Sequence, residues 1–328
     1  MSNTYRSPIR WGIIGCGDVT EVKSGPAYQK TEGFELRAVM RRDEAKLKDY
    51  ARRHQVEKYY TDADALINDE DIDAVYIATP PDTHRYYALK VAAAGKPCCV
   101  EKPLSLSYQD SLAICTAFAD RGIPLFSAYY RRTLPRFTQV QAWLRDQSIG
   151  EVRHINWHLS KAPSAQDLSG AYNWRTDPKV APGGYFDDLA SHGLDLFTFL
   201  LGNMKTVKGI SLNQQGLYGA KDAFTACWLH EGNITGSGSW NFGCDRTEDR
   251  VEILGSEGRI QFSVFDEAPV VLIRGDKREE HFIEHPKHVQ LPHVEHMKKQ
   301  LLEDNGYLHP SSGQTALHTS WIMDEIMG

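Results

Sequence analysis

Short apolar runs alternate with amphipathic segments through the first 127 residues of the chain. The runs predict strands and the segments between them predict helices, since a helix repeats its apolar face about every 3.6 residues. The first strand begins at Arg10, and further strands are predicted at 34–40, 58–60, 73–79, 98–101 and 123–127. Helices are predicted at 18–30, 43–54, 64–68, 83–94 and 108–121. This alternation predicts an α/β domain built on a parallel, doubly wound sheet.

The alternation stops after Ser127, and the rest of the chain is rich in strands. Strands are predicted at 152–160, 207–212, 223–230, 233–241, 249–254, 259–265, 270–273 and 280–283. Helices are predicted at 136–147, 183–200, 294–304 and 314–327. Strands that follow one another without helices predict a large, mostly antiparallel sheet in an α+β domain. The pattern therefore divides the chain into residues 1–127 and residues 128–328.

Composition and charge narrow the functional classes. The 328 residues are 41% hydrophobic and 24% charged, with a formal net charge of −6. A negatively charged chain is poorly suited to nucleic acid or an anionic membrane. No apolar run approaches the ~20 residues of a membrane helix, and Met1–Arg10 lacks the apolar core of a secretion signal, so a cytoplasmic protein is expected. The six cysteines show no metal-ligand spacing and are expected to be reduced.

A glycine-rich turn follows the first predicted strand. Such a turn lets backbone N–H groups and a helix N-terminus approach a pyrophosphate. The dinucleotide fingerprint is incomplete, because Thr20 stands where a third small residue is usual. The place of the turn, ahead of a series of strand-helix units, nevertheless favours a nucleotide. The residues of this turn assigned to cofactor binding are Gly15, Gly17, Asp18 and Val19.

The end of the second strand distinguishes NAD from NADP. Sheets that bind NAD place an acidic side chain there for the ribose hydroxyls, whereas this chain has Arg41 and Arg42. A guanidinium can bind a 2′-phosphate through charge-assisted hydrogen bonds of ~1.5–3 kcal/mol each. The two arginines therefore favour NADP. Two alternatives stay open: Asp43 binds the ribose, or both arginines are only solvated.

A rigid turn follows the fourth strand, where two prolines precede an Asp-Thr cap at the start of a helix. Turns at this end of a parallel sheet border the ligand crevice. Thr79, Pro80 and His84 are therefore assigned to the cofactor pocket, with His84 lining or bracing it.

Two charged residues, Glu101 and Lys102, directly follow the apolar run of the fifth strand. Because a residue before proline is held in extended geometry, Pro103 gives Lys102 a defined direction. An ammonium there can polarise a hydroxyl or carbonyl oxygen. The alternative is a surface lysine paired with Glu101.

The helix predicted at 183–200 carries a second group of polar residues. Asp188, His192 and Asp195 stand at i, i+4 and i+7 and share one helix face. A carboxylate beside an imidazole fixes its tautomer and raises its basicity, which suits a general acid or base. Three alternatives compete with this interpretation: a satisfied polar seam, a metal site, and the exposed face of an amphipathic helix.

Other candidates lie on either side of this helix. Trp174 and Arg175 precede it, and the arginine could reach a cofactor phosphate. Five histidines in a proline-broken connection resemble metal ligands at first sight, but their spacing does not favour a metal. They are His281, His285, His288, His293 and His296.

The chain resembles the superfamily that contains glucose-fructose oxidoreductase, inositol dehydrogenase and dimeric dihydrodiol dehydrogenase, including MocA-type members, over nearly its full length. The resemblance is carried by motifs in a fixed order. They are Gly12-Ile13-Ile14-Gly15-Cys16-Gly17, Ala78-Thr79-Pro80-Pro81-Asp82-Thr83-His84, Glu101-Lys102-Pro103, Trp174-Arg175, and Gly183-Gly184 followed by Asp188-x-x-x-His192. The resemblance implies a Rossmann domain, an open-faced antiparallel sheet that binds substrate and pairs protomers into a homodimer or homotetramer, and a nicotinamide cofactor.

Residue roles follow from the same resemblance. It implies that Lys102 is the catalytic lysine, that His192 exchanges the proton, and that Asp188 binds substrate. It assigns Glu101, Trp174 and Arg175 to the cofactor and implies a cis bond between Lys102 and Pro103. The expected reaction moves a hydride between NADP, or NAD, and a secondary alcohol or carbonyl of a sugar, cyclitol or related polyol. The alternatives are the NAD-dependent glycoside hydrolase branch and a regulator that binds cofactor without turnover.

Overall fold

The strands form two sheets in the computed structural model, which describes residues 5–303 and 306–328. The strands of the first sheet are β1 (Ile9–Ile14), β2 (Phe34–Met40), β3 (Lys58–Tyr60), β4 (Ala74–Ile77), β5 (Cys98–Val100) and β6 (Leu125–Ser127). Those of the second are β7 (Val152–Ser160), β8 (Met204–Leu212), β9 (Ala223–His230), β10 (Thr235–Asn241), β11 (Glu248–Gly255), β12 (Arg259–Phe262), β13 (Val270–Arg274) and β14 (Lys277–His281).

Helices connect and flank these strands. In chain order they are α1 (Asp18–Val22), α2 (Gly25–Lys30), α3 (Glu44–Arg53), α4 (Ala63–Ile67), α5 (His84–Ala93), α6 (Tyr108–Ala119), α7 (Pro135–Arg145), α8 (Ala165–Ser169), α9 (Tyr185–Leu201), α10 (Leu291–Leu302) and α11 (Gly313–Met327). Short 3₁₀ turns cover Pro81–Thr83, Tyr130–Thr133 and Trp174–Thr176. The predicted end of one helix at Asp304 lies outside the described residues. Nowhere in the described ranges is a helix both long and apolar enough to cross a membrane.

The first sheet has the strand order β3-β2-β1-β4-β5-β6, and every pair in it is parallel. Its central strands β4 and β5 are buried at every position, as expected when helices cover both faces. The order reverses direction at β1, so the crevice for a ligand lies where the carboxyl ends of β1 and β4 diverge. The predicted doubly wound Rossmann sheet is confirmed.

The second sheet has the order β14-β13-β12-β11-β7-β10-β9-β8. Its strand pairs are antiparallel except for β7 and β10, which run parallel. Buried and less buried residues alternate along β9 and β10, so one face packs inward and the other is open. The predicted large, mostly antiparallel, open-faced sheet is confirmed.

The chain folds into two units that do not coincide with two continuous halves of the sequence. The first comprises Met1–Ser105, Gln109–Leu134 and Pro286–Leu317; the second comprises Leu106–Tyr108, Pro135–His285 and His318–Gly328. The sequence pattern placed every residue after 127 in the second domain. The segment 286–317 belongs to the first unit because its apolar side chains enter that unit's core.

That return segment is tied to the first unit in two ways. Val294, Met297 and Leu301 of α10 are buried in one cluster with the side chains of β1 and α2. Ser311 donates its hydroxyl to the Ser127 carbonyl at the end of β6 (2.6 Å). The sequence predicted this helix over 294–304, but nothing local indicated which core it joins.

The predicted helix 18–30 is two helices, so this prediction was wrong. The chain leaves α1 after Val22 and begins α2 at Gly25. Pro26 has no backbone N–H and therefore cannot continue the hydrogen-bond ladder of α1.

Candidate active site

At Gly15 the glycine-rich turn packs closely against the turn that follows β4. Its φ is +91°, a conformation that side-chain-bearing residues rarely adopt. A Cβ there would lie 2.6 Å from Cγ2 of Thr79. The Gly15 N–H donates to the Met40 carbonyl at the end of β2 (2.9 Å). The carboxyl ends of β1, β2 and β4 thus meet at this turn.

Space beside Gly17 is open. A Cβ added there would meet only the Gly15 carbonyl oxygen, at 3.9 Å. Thr20 is buried and its hydroxyl donates back to the Gly17 carbonyl (2.8 Å), so the unusual residue does not fill this space. Asp18 and Val19 form the first turn of α1 beside it. The turn therefore fits a pyrophosphate approached by backbone N–H groups.

Arg41 follows β2 and reaches the glycine-rich turn, where its Nη1 donates to the Cys16 carbonyl (3.0 Å). Arg42 is exposed. Asp43, the alternative ribose acceptor, instead caps α3 by accepting the Lys46 N–H (3.1 Å). That hydrogen bond lowers the pKa of the Asp43 carboxyl.

His84 ties the turn after β4 to the segment after β5. Its Nε2 lies 2.8 Å from the Thr79 carbonyl, and its Nδ1 lies 3.0 Å from the Pro103 carbonyl. The side chain is fully buried, and this burial lowers its pKa. Pro80, in the same turn, is exposed and accepts the Thr83 hydroxyl at its carbonyl (2.9 Å). His84 therefore braces the two turns that flank the crevice.

Glu101 and Lys102 follow β5, whose residues are fully buried. The Glu101 carboxylate is buried and accepts the Tyr76 hydroxyl (2.5 Å) and the Gln290 amide (2.7 Å). Its other oxygen accepts the Lys102 backbone N–H (3.2 Å). The Lys102–Pro103 peptide bond is cis, as the resemblance implies. Glu101 is therefore not a surface residue, because only 7% of it is exposed.

In the second unit, α9 is buried along most of its length. Gly184 precedes it with φ +61°, and a Cβ there would lie 2.8 Å from the Lys221 carbonyl oxygen. His192 is only 5% exposed, and Asp195 is fully buried, where it accepts the Thr319 hydroxyl of α11 (3.1 Å). The polar stripe is therefore not the exposed face of an amphipathic helix.

Asp188 on α9 forms an ion pair with Arg175, from Nε to Oδ2, at 2.9 Å. The Arg175 guanidinium also stacks over the Trp174 ring, 4.2 Å from its centroid. Trp174-Arg175 and Asp188, which stand in two different motifs of the sequence, thus form one contact chain. A fixed guanidinium beside Asp188 holds that carboxylate in a defined orientation.

Residues without a motif also shape these sites. Tyr76 and Gln290 hold Glu101, and Asp187 accepts the Gly183 N–H at the start of α9 (2.8 Å). Burial raises the pKa of Asp187 to about 7, and the Asp188 and Asp324 carboxylates add to the rise while the Gly183 hydrogen bond opposes it. Only Tyr76 left a signal in the sequence, as a hydroxyl within an apolar strand.

The five histidines of the proline-broken connection do not form a metal centre. In the described parts of the chain, no group of three or more His, Cys, Asp or Glu side chains is arranged to hold a metal ion. His288 instead contacts the Val22 carbonyl (2.6 Å), and His293 is buried in the first unit.

The parallel sheet and the open glycine-rich turn at its carboxyl edge are the features of a dinucleotide-binding domain. Residues 9–129 match the "Oxidoreductase family, NAD-binding Rossmann fold", and residues 137–261 match the "GFO/IDH/MocA C-terminal domain". The chain belongs to this GFO/IDH/MocA family and is an enzyme of the dehydrogenase or reductase type.

Known relatives span from about three quarters to nearly all of the chain. It is 36% identical over 323 residues to "Oxidoreductase P35" of Formosa agariphila, which covers 98% of this chain and 99% of that protein. It is 25% identical over 260 residues to trans-1,2-dihydrobenzene-1,2-diol dehydrogenase of Sus scrofa, and the match covers 77% of this chain and 73% of that protein. The fold matches that of levoglucosan dehydrogenase in complex with NADH, with a TM-score of 0.86 and 22% identity. The match covers 97% of this chain and 95% of that chain.

Proposed function

We propose that the protein transfers a hydride between a nicotinamide cofactor, with NADP preferred, and a secondary alcohol or carbonyl of a sugar, cyclitol or related polyol. The observation that carries this proposal is the fixed backbone of Lys102, which Glu101 and His84 hold at the carboxyl end of β5. Relatives named for a dihydrodiol, D-apiose, levoglucosan and 1,5-anhydro-D-fructose support the substrate class.

The proposed chemistry divides between two side chains. The Lys102 ammonium donates to the reacting oxygen and stabilises the negative charge that develops there. His192 takes the hydroxyl proton during oxidation and returns it during reduction. Asp188, oriented by Arg175, accepts hydrogen bonds from substrate hydroxyls. A nicotinamide bound in the crevice would supply the hydride acceptor for oxidation and the hydride donor for reduction.

The residues proposed to hold the nucleotide are Gly15, Gly17, Asp18, Val19, Arg41, Arg42, Thr79, Pro80, His84, Glu101, Trp174 and Arg175. NADP is favoured because Arg41 lies against the glycine-rich turn, whereas the acidic alternative, Asp43, is engaged as the cap of α3. A guanidinium at this position offers further N–H groups to a 2′-phosphate.

We expect Arg41→Ala to weaken NADPH binding about 10-fold to 100-fold, from one or two lost charge-assisted hydrogen bonds. NADH binding should change little, because NADH has no 2′-phosphate. Fluorescence titration of the purified, cofactor-free protein measures both affinities. Tighter binding of NADH than of NADPH by the unaltered protein would contradict the NADP preference and reopen the hydrolase alternative.

Gly17→Ala is the matched control for this titration. Its methyl group meets no protein atom closer than 3.9 Å, so the fold should be kept. Because the methyl group enters the space assigned to the pyrophosphate, both nucleotides should bind more weakly by similar factors. A screen of aldoses, inositols and dihydrodiols with the preferred nucleotide then tests the reaction itself.

We further propose that the first unit, formed mainly by residues 1–127 and completed by 286–317, binds the nucleotide, and that the second unit, formed by most of 128–328, binds substrate and pairs protomers in a cytoplasmic homodimer or homotetramer. The open face of the second sheet supports pairing, since Ile210 and Leu212 on β8 are 63% and 41% exposed. Sedimentation of the purified protein measures the oligomeric state, and a monomer at all concentrations would contradict the pairing.

A further inference from the structure

The carboxylate of Glu101 is held by three neutral donors within the first unit. Tyr76 of β4 and the Gln290 side chain both donate to Oε1, at 2.5 and 2.7 Å. The Lys102 N–H donates to Oε2 at 3.2 Å. A buried carboxylate in this arrangement cannot rotate without leaving one of these donors unsatisfied.

The same hydrogen bonds fix the peptide that carries Lys102. The Glu101 carboxylate accepts its N–H, and Nδ1 of His84 lies 3.0 Å from the carbonyl of the next residue, Pro103. The backbone is thus restrained on both sides of the lysine side chain. The direction of that side chain depends on how firmly the Glu101 carboxylate is held.

The segment that carries Gln290 is anchored at the break between helices α1 and α2. Pro26 cannot donate to the Val22 carbonyl, and α2 begins afresh at Gly25. The Val22 carbonyl accepts from Nδ1 of His288 (2.6 Å), and the Lys23 carbonyl accepts the Gln290 N–H (3.2 Å). The carbonyls at the end of α1 therefore anchor the segment that delivers Gln290.

His288 completes this anchor as a neutral imidazole. A carbonyl only accepts hydrogen bonds, so Nδ1 carries the proton and donates to Val22. The Lys30 ammonium only donates, and it lies 2.9 Å from Nε2. With its backbone held in this way and its side chain only 1% exposed, Gln290 presents its amide from a fixed position.

We propose that Gln290 is a positioning residue for Lys102 and acts through Glu101. Its amide donor fixes the carboxylate, and the carboxylate fixes the lysine peptide. This inference rests on the catalytic role proposed for Lys102. It adds a residue that is 189 positions away from Glu101 in sequence and lies in no motif.

The direct test measures hydrogen exchange of the Lys102 amide in the purified full-length protein. Gln290→Leu removes the amide donor and keeps a side chain of similar size, so exchange of this amide should speed up roughly 10-fold. Gln300→Leu is the matched control: it removes a glutamine acceptor from α10, which binds the His309 N–H (2.7 Å), without touching Glu101. Equal exchange at Lys102 in the two variants would overturn the proposal.

Tyr76→Phe provides a second variant in case Gln290→Leu folds poorly. It removes only a hydroxyl, the other donor to the same oxygen, and should speed exchange of the Lys102 amide in the same direction. Exchange unchanged in Tyr76→Phe would likewise count against the proposal. Hydrogen exchange needs no substrate, so its result tests the positioning of Lys102 even if the proposed reaction is not found.

Kinetics then test the consequence. Gln290→Leu should lower kcat roughly 10-fold with less than a threefold change in KM, since misplacement of a reacting group affects the chemical step. In a Glu101→Gln background the same substitution should have little further effect, because its path to Lys102 is already broken. An inactive unaltered protein would refute the proposed function alone, whereas an active Gln290→Leu with normal kcat would refute this inference alone.

Discussion

Replacing Lys102 with alanine is expected to lower kcat by roughly 10²–10³-fold, because the developing charge on the substrate oxygen loses its donor. Nucleotide affinity and the free energy of unfolding should change little, since the Lys102 N–H donates to Glu101 and this backbone contact is kept in the alanine variant. Steady-state rates at saturating nucleotide, with the best substrate from the screen, measure the effect.

Lys96→Ala is the control for that substitution. Lys96 precedes the same strand, β5, at its opposite end, where its ammonium donates to the Asp69 carbonyl (2.7 Å). Its loss should lower stability slightly and leave kcat unchanged. A Lys102→Ala protein as active as Lys96→Ala would remove the lysine from the mechanism.

Substituting His192 with asparagine is expected to lower kcat/KM by about 10²–10⁴-fold and to change its pH dependence. In oxidation the imidazole must be unprotonated to take the hydroxyl proton, so the rate falls at low pH while His192 is the base. Without the imidazole this low-pH limb should flatten. The pH profile of kcat/KM for oxidation gives the measurement.

His158→Asn is the control for that substitution, because it removes another imidazole from the second unit. His158 lies on β7, where its Nδ1 contacts the Ser239 hydroxyl (2.9 Å). Its replacement should leave the pH profile intact. If the low-pH limb persists in His192→Asn, another group is the base.

The sequence predicted most of the fold because the order of strands and helices differs between the two parts of the chain. Strands alternating with helices predicted the parallel sheet, and strands following one another without helices predicted the mostly antiparallel sheet, whose open face the resemblance implied. The break between α1 and α2 was missed, although Pro26 marks it. The parallel pairing of β7 with β10 has no local signal, since register between distant strands is a tertiary property.

Candidate site residues could be proposed from the sequence where a motif carried them. Gly15, Lys102 and His192 stand in recognisable local sequences, and the structure gives each a defined environment. Contacts between distant segments were not predictable. The ion pair between Arg175 and Asp188 joins two motifs that were interpreted separately. The hydrogen bond from Gln290 to Glu101 joins a motif to a stretch of sequence with no recognisable pattern.

The return of residues 286–317 to the first unit has a consequence for synthesis on the ribosome. Val294, Met297 and Leu301 complete the cluster around Trp11 and Tyr28, so the nucleotide-binding unit still exposes apolar surface after its own sheet has emerged. The second unit's sheet must be made before that surface is covered. The two units should therefore finish folding at nearly the same time, and an excised fragment ending at Leu134 should aggregate more readily than the intact chain.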